Sequence, residues 1–252
     1  MSRRGKALSR RFGCGAFTLI ELLVVIAIIA LLVTILAPSL RQVEDILKRV
    51  VCRSNMRQLT LAWTNYHLAN DGMLVGADTG DFGATWDWAG QWGNMKAGKL
   101  WAYVETPKPY KCTNPANPGY PISYSIAGSM NGQAADFGPT WRSIWGSLPW
   151  KTYTTLPRPS ECLVLVEEDD WRGFNMASWV LWNKDQWVDY VSGNHDDGDN
   201  LTFADGHTEY WHWEVYNTLA YPHQDAPFYK PDPGNWDLHR LWEIYACVDV
   251  LQ

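Results

Sequence analysis

FTLIELLVVIAIIALLVTILAP, residues Phe17 to Pro38, is apolar along its whole length except for one carboxylate, Glu21. At ~1.5 Å per residue, a helix of about twenty such residues spans the ~30 Å hydrocarbon core of a bilayer. Ahead of it, residues 1–16 carry Arg3, Arg4, Lys6, Arg10 and Arg11 and no acid. Behind it the apolar pattern turns from all-round to one-sided. Leu40, Val43, Leu47 and Val50 recur at helical spacing, and Leu59, Ala62, Tyr66 and Ala69 resume it after a phase shift near Ser54. Pro38 removes one helix hydrogen bond and is expected to kink the helix without ending it. Asn70-Asp71-Gly72 is the stop signal.

A basic start before an apolar core also describes a secretory signal peptide. The core here ends Ile35-Leu36-Ala37-Pro38, without the small-x-small cleavage pattern. A plain membrane anchor accounts for the length but not for a carboxylate, which costs ~3 kcal/mol at mid-bilayer and marks function. Glu21 sits near one end of the span, where that cost is smaller.

The residues at the junction carry more. Gly15-Ala16-Phe17-Thr18-Leu19-Ile20-Glu21 resembles the prepilin processing site of type IV pilins and type II secretion pseudopilins. The resemblance implies cleavage between Ala16 and Phe17 by a prepilin peptidase, methylation of the new Phe17 amine, and an assembly role for Glu21. Pro38 also has its counterpart in the family. Ala16 departs from it, standing where a glycine is usual. The implied partners are other pilin or pseudopilin subunits, the inner-membrane assembly platform and the membrane itself.

Charge and cysteines fit an exported chain. The formal charge of the 252 residues is −6, and loss of the five basic leader residues takes it to −11. An acidic chain without clustered Lys and Arg is a poor nucleic-acid binder. Basic residues flanking the span place the leader in the cytoplasm and the C-terminal domain in the periplasm or outside. Cys14 leaves with the leader, and Cys52, Cys112, Cys162 and Cys247 remain. None has C-x-x-C spacing, so structural disulfides are expected. Four cysteines allow three pairings, and sequence does not choose among them. We expect Cys52–Cys112, from the stalk to the first loop region, and Cys162–Cys247, from a core strand to the tail.

Past Asp71 the chain is loop-rich. Lys96–Val104 reads as a short helix, Ile122–Ala127 and Leu163–Val166 as strands, and Leu238, Leu241, Trp242, Tyr245 and Val248 as one face of a last helix. Gly93–Lys99 matches much of a P-loop, but Leu100 stands where a magnesium-ligating Ser or Thr is needed.

Asp205-Gly206 is a two-residue hairpin signal, which would place Leu201, Phe203, Thr208 and Tyr210 on one face and Thr202, Ala204, His207, Glu209 and Trp211 on the other. His195, nine residues, then Asp205-Gly206 resembles the H-x9-DG motif of a large group of bacterial prepilin-like proteins. So do Cys52-x-x-Asn55-x-Arg57-Gln58-Leu59 and Tyr110-Lys111-Cys112. For the motif itself we expect His195 and Asp205 to hydrogen-bond loop and turn together. Asp196, Asp197 and Asp199 offer hard oxygen ligands for calcium, without EF-hand spacing. No hydrolase or metalloprotease motif accompanies these residues, so no catalytic residue and no enzyme activity are expected. Sixteen tryptophans serve either as core or as an exposed surface, and the run Trp86, Trp88, Trp92 is the candidate for stacking on a polysaccharide.

The expected architecture is α+β and pilin-like. It has a leader (1–16), a long helix (17–70) crossing the membrane to about residue 37, and a globular domain (71–252) whose antiparallel sheet packs on the second half of the helix. The expected function is that of a structural filament subunit of the inner membrane. The alternative is an anchored periplasmic binding domain that does not polymerise.

Overall fold

The structure is a computed structural model describing residues 18–77, 85–91, 94–113, 119–132, 149–168, 177–223 and 229–247. It falls into two compact units, residues 1–44 and 45–252. Helix α1, Leu19–Ala69, is continuous through Pro38. From Leu19 to Leu36 every large apolar side chain is at least 44% exposed. Among the described residues this is the one helix long and apolar enough to cross a membrane. It ends as expected: Asp71 and Gly72 take positive φ, and the Gly72 N–H returns to the His67 carbonyl at 2.8 Å.

In the second unit α1 turns amphipathic, burying Cys52, Met56, Leu59, Ala62 and Trp63. They meet a five-stranded sheet of order β5-β3-β4-β8-β9, made of β3 (Tyr124–Ala127), β4 (Leu163–Glu167), β5 (Ser178–Trp179), β8 (Gly198–Phe203) and β9 (Thr208–His212). All its pairs are antiparallel except β3–β5. Two small sheets accompany it: β1 (Thr85–Trp86) with β2 (Gly90–Gln91), and β10 (Lys230–Pro231) with β7 (Gln186–Trp187) and β6 (Leu181–Asn183). The architecture is therefore α+β, a long helix followed by a domain of mostly antiparallel sheet. β3 and β4 are buried at every position, which explains the continuous apolar run Leu163–Val166 of β4, while β3 carries a buried serine, Ser125.

Between them lie short helices: α2 (Trp101–Val104), preceded by a 3-10 turn at Met95–Ala97, and α3 (Tyr216–Ala220). The last helix, α4 (Trp236–Ala246), starts at an Asn235 cap that accepts the Leu238 N–H. It buries Leu238, Leu241 and Tyr245 and ends at Cys247, which is bonded to Cys162 just before β4.

The β8–β9 hairpin differs from its sequence reading by one residue. Thr202 pairs with Thr208, so the loop is Ala204-Asp205-Gly206, three residues and not two. Leu201 therefore shares a face with Glu209, and Thr202 with Thr208, the reverse of the faces drawn above. Two interactions favour the longer loop. The Gly206 N–H reaches the Phe203 carbonyl with Gly206 at φ +92°, a conformation that suits glycine. The N–H groups of Ala204 and Asp205 are taken by the carbonyls of Cys162 and Pro159.

The aromatic load is largely core. Trp63, Trp88, Trp179, Trp187 and Trp213 are fully buried. Four of these indoles donate hydrogen bonds: Trp88 to the Ala177 carbonyl, Trp179 to that of Tyr190, Trp187 to Asp232 and Trp213 to Asp199. Of the run proposed as an exposed surface, Trp88 is interior. The side chains of Trp86 and Trp92 lie outside the described residues.

Candidate functional site

Ahead of α1 the expected cleavage position, Ala16–Phe17, lies outside the described residues. Thr18 caps the helix. Its N–H and hydroxyl donate to Glu21 at 2.9 and 2.7 Å, and the Glu21 N–H returns to the Thr18 hydroxyl at 3.3 Å. This is a reciprocal capping box, legible in Thr18-x-x-Glu21 and missed in the sequence reading. Glu21 is thus held in place by its own helix, with its remaining carboxylate surface exposed.

The densest polar cluster lies where α1 crosses the sheet. Cys52 comes from α1, Cys112 from the loop after the 3-10 turn Lys108–Tyr110, Glu167 from the end of β4, and His195 from the loop before β8. All four are buried, and one ligand atom from each lies within 4.8 Å of the others. The expected neighbours Cys52 and Cys112 are brought together, with their sulfurs 2.9 Å apart. His195 Nε2 is 3.3 Å from Cys112 Sγ and 3.3 Å from Glu167 Oε1.

Backbone groups fix this geometry. The Thr113 N–H donates to Cys52 Sγ at 3.2 Å. Asn55 Nδ2, three residues after Cys52, donates to the Lys111 carbonyl and ties helix to loop, which gives the C-x-x-N spacing a physical role. Glu167 accepts from the Asn200 N–H and from Asn200 Nδ2. The hydrogen bond from Cys112 lowers the Cys52 thiol, outweighing burial, with help from His195 and Thr113. Burial disfavours the His195 cation, but the Cys52 and Glu167 groups outweigh it and raise the imidazole to about 10.

His195 and Asp205 are not hydrogen-bonded to each other as expected. β8 stands between them, and its six residues, five steps of ~3.3 Å, span ~17 Å from Gly198 to Phe203. Each end has its own partners. His195 belongs to the buried cluster. Asp205 closes the hairpin turn, accepting from the His207 N–H at 3.0 Å and the His207 ring at 2.5 Å, and His207 stacks on Phe203.

The three aspartates offered for calcium do not converge either. Asp199 is fully buried and accepts from the Ser192 hydroxyl, the Gly193 N–H and the Trp213 indole. Burial, with the Glu167 charge behind it, pushes Asp199 up to about 7. Asp196 and Asp197 are exposed at positive φ, and their carbonyls serve Tyr210, His212 and Trp213. Among the described residues the Cys52, Cys112, Glu167, His195 set is the one group of this kind.

Glu167 was missed because it has no motif. Its signal is a carboxylate closing the apolar run Leu163–Val166, which demands buried partners.

In comparisons with known proteins, residues 11–37 match the prokaryotic N-terminal methylation motif. No curated protein and no solved structure matches the chain. The matched segment covers the leader's end, the Ala16–Phe17 junction and the apolar half of α1, so the chain carries the N-terminal signature of a pilin-like precursor, set on a single helix suited to anchor it in a membrane.

Proposed function

We propose that this chain is a structural, non-enzymatic subunit of a type IV pilus or type II secretion pseudopilus. In this reading a prepilin peptidase cuts before Phe17, the Phe17 amine is methylated, and subunits pack through the apolar half of α1 while an inner-membrane platform assembles them. The observation that carries it is the methylation motif at 11–37 running into the apolar half of α1, whose large side chains from Leu19 to Leu36 are exposed and whose one charge is Glu21. A packed bundle would bury that surface. The Glu21 carboxylate would then meet the Phe17 amine of a neighbouring subunit, offsetting the burial of both charges.

The capping box makes the test sharp, because Glu21 has a local role as well. Glu21→Gln keeps a side-chain acceptor for Thr18 and removes the charge, while Glu21→Leu removes both. Filaments sheared from cells producing each variant should be scarce in both cases, with insertion and cleavage intact. Full filament yield from Glu21→Gln would reduce Glu21 to a helix cap and sink the charge-pairing role. A wild-type chain that is cleaved but never sediments with a filament would favour the anchored binding domain.

A further inference from the structure

We propose that Cys52, Cys112, His195 and Glu167 together bind one zinc ion, closing a buried clasp between α1 and the sheet. The donor set is the first reason. Two thiolates, an imidazole and a carboxylate make a closed four-ligand shell of the kind structural zinc prefers, and the two sulfurs select against calcium and magnesium. Geometry is the second. With zinc bonds of ~2.0–2.3 Å, tetrahedral ligands stand ~3.4 Å apart for nitrogen and oxygen and ~3.6 Å for nitrogen and sulfur. His195 Nε2 is 3.3 Å from Glu167 Oε1 and 3.3 Å from Cys112 Sγ. The sulfurs, at 2.9 Å, must part to reach the ~3.8 Å that two zinc thiolates keep.

A disulfide would need the sulfurs to close by a similar amount, to ~2.05 Å. The sulfurs alone therefore do not decide. The other two groups do. A Cys52–Cys112 bridge would leave the fully buried imidazole and carboxylate to pair with each other and with Asn200, making no use of their approach to the two sulfurs. A zinc ion uses all four. On binding, both thiols release their protons, Glu167 is ionised, and His195 offers the Nε2 lone pair with its proton on Nδ1. Three negative ligands and a divalent cation leave a net charge of −1, against −3 for the same ligands without it. The existing hydrogen bonds supply the supporting shell: Thr113 N–H on Cys52 and Asn200 on Glu167.

The test uses the full-length exported chain, isolated in detergent without reductant or chelator. Intact mass and metal analysis should find one disulfide, Cys162–Cys247, and one zinc per chain. Cys52 and Cys112 should resist alkylation until zinc is stripped. Two disulfides with no zinc would overturn the proposal. So would one disulfide in a chain that takes up no added zinc. His195→Ala should weaken zinc binding beyond the ~10–100-fold expected for an outer-shell partner, whereas a Cys52–Cys112 bridge would be indifferent to it. Should that variant misfold, cobalt added to the stripped wild-type chain gives the same answer. A thiolate-to-cobalt charge-transfer band with tetrahedral ligand-field absorption supports the site, and its absence refutes it.

Discussion

Thr60 on α1 and Thr202 on β8 share one buried hydrogen bond, yet removing either partner should have unequal effects. The Thr60 hydroxyl lies 2.8 Å from Thr202 Oγ1 and also bonds the Met56 carbonyl at 3.0 Å within its own helix. Thr202 Oγ1 in addition receives the Leu165 N–H at 3.2 Å, beside the irregularity where the β4–β8 register shifts. Thr60→Val keeps the volume and deletes the shared bond and the side-chain bond to the Met56 carbonyl, which keeps its helix partner, while Thr202 still serves Leu165. The loss is one net hydrogen bond, about 0.5–1 kcal/mol. Thr202→Val removes the shared bond to Thr60 and the acceptor of the buried Leu165 N–H. Thr60 retains Met56, but the Leu165 N–H loses its side-chain acceptor, so the cost is about 1–3 kcal/mol.

For a unit of this size 1 kcal/mol moves the unfolding midpoint by roughly 2–4 °C. Thr202→Val should therefore lower it by about 2–12 °C and Thr60→Val by no more than about 4 °C. Because the shared bond is already gone in Thr202→Val, the double variant should match that single variant and not the sum. Thermal unfolding of the full chain in detergent, followed by tryptophan fluorescence, measures all three. A Thr60→Val loss equal to or larger than that of Thr202→Val, or strict additivity, would refute the reasoning.

Mass spectrometry of the mature chain should find its N-terminus at methylated Phe17; a retained Met1 or a cut after Ala37 would remove the pilin reading. His67 is buried between Trp63 and Tyr153, and burial holds its imidazole below the ordinary ~6.5. The folded state then binds fewer protons than the unfolded one as pH falls below ~6.5, so His67 makes stability decline there and level off once the folded imidazole also protonates. His67→Phe keeps the ring stack, and since Nε2 is buried without a hydrogen bond it should cost little and flatten that decline. An unchanged drop between pH 7.5 and 5.5 would place the titration elsewhere. Replacing Cys162 and Cys247 together by alanine opens an 85-residue loop, which the chain-entropy model values at about 4–5 kcal/mol. The unfolding midpoint should fall by roughly 10–20 °C, and a loss under about 2 °C would show the tail to be held by α4 packing alone.

The long helix, its stop at Asp71-Gly72 and the last helix were legible because each depends on local pattern: an apolar run, a glycine beyond the last periodic residue, contacts three and four apart. The β3 and β4 segments were legible for the same reason, β3 as an alternating stretch around Ser123 and Ser125 and β4 as a short apolar run. The methylation motif is also local, since a peptidase and a neighbouring helix read it along the chain.

The hairpin register was not legible. Asp205-Gly206 suits a two-residue or a three-residue loop equally, and the choice falls to Cys162 and Pro159, some forty residues away, whose carbonyls take the loop's N–H groups. The fates of Asp199 and His195 were hidden in the same way. In sequence Asp199 looks like its neighbours Asp196 and Asp197, but those two lie in a positive-φ turn while Asp199 lies on β8, which tertiary packing buries at every position. Glu167 and His195, 28 residues apart, meet Cys52 and Cys112 solely because β4, β8 and α1 converge. Sequence by itself determined the long and last helices, β3, β4 and the β8–β9 hairpin as elements, and the N-terminal signature. Tertiary packing alone decided which carboxylate is buried, which turn is made and which four side chains share one point, because those depend on contacts between segments that no local pattern encodes.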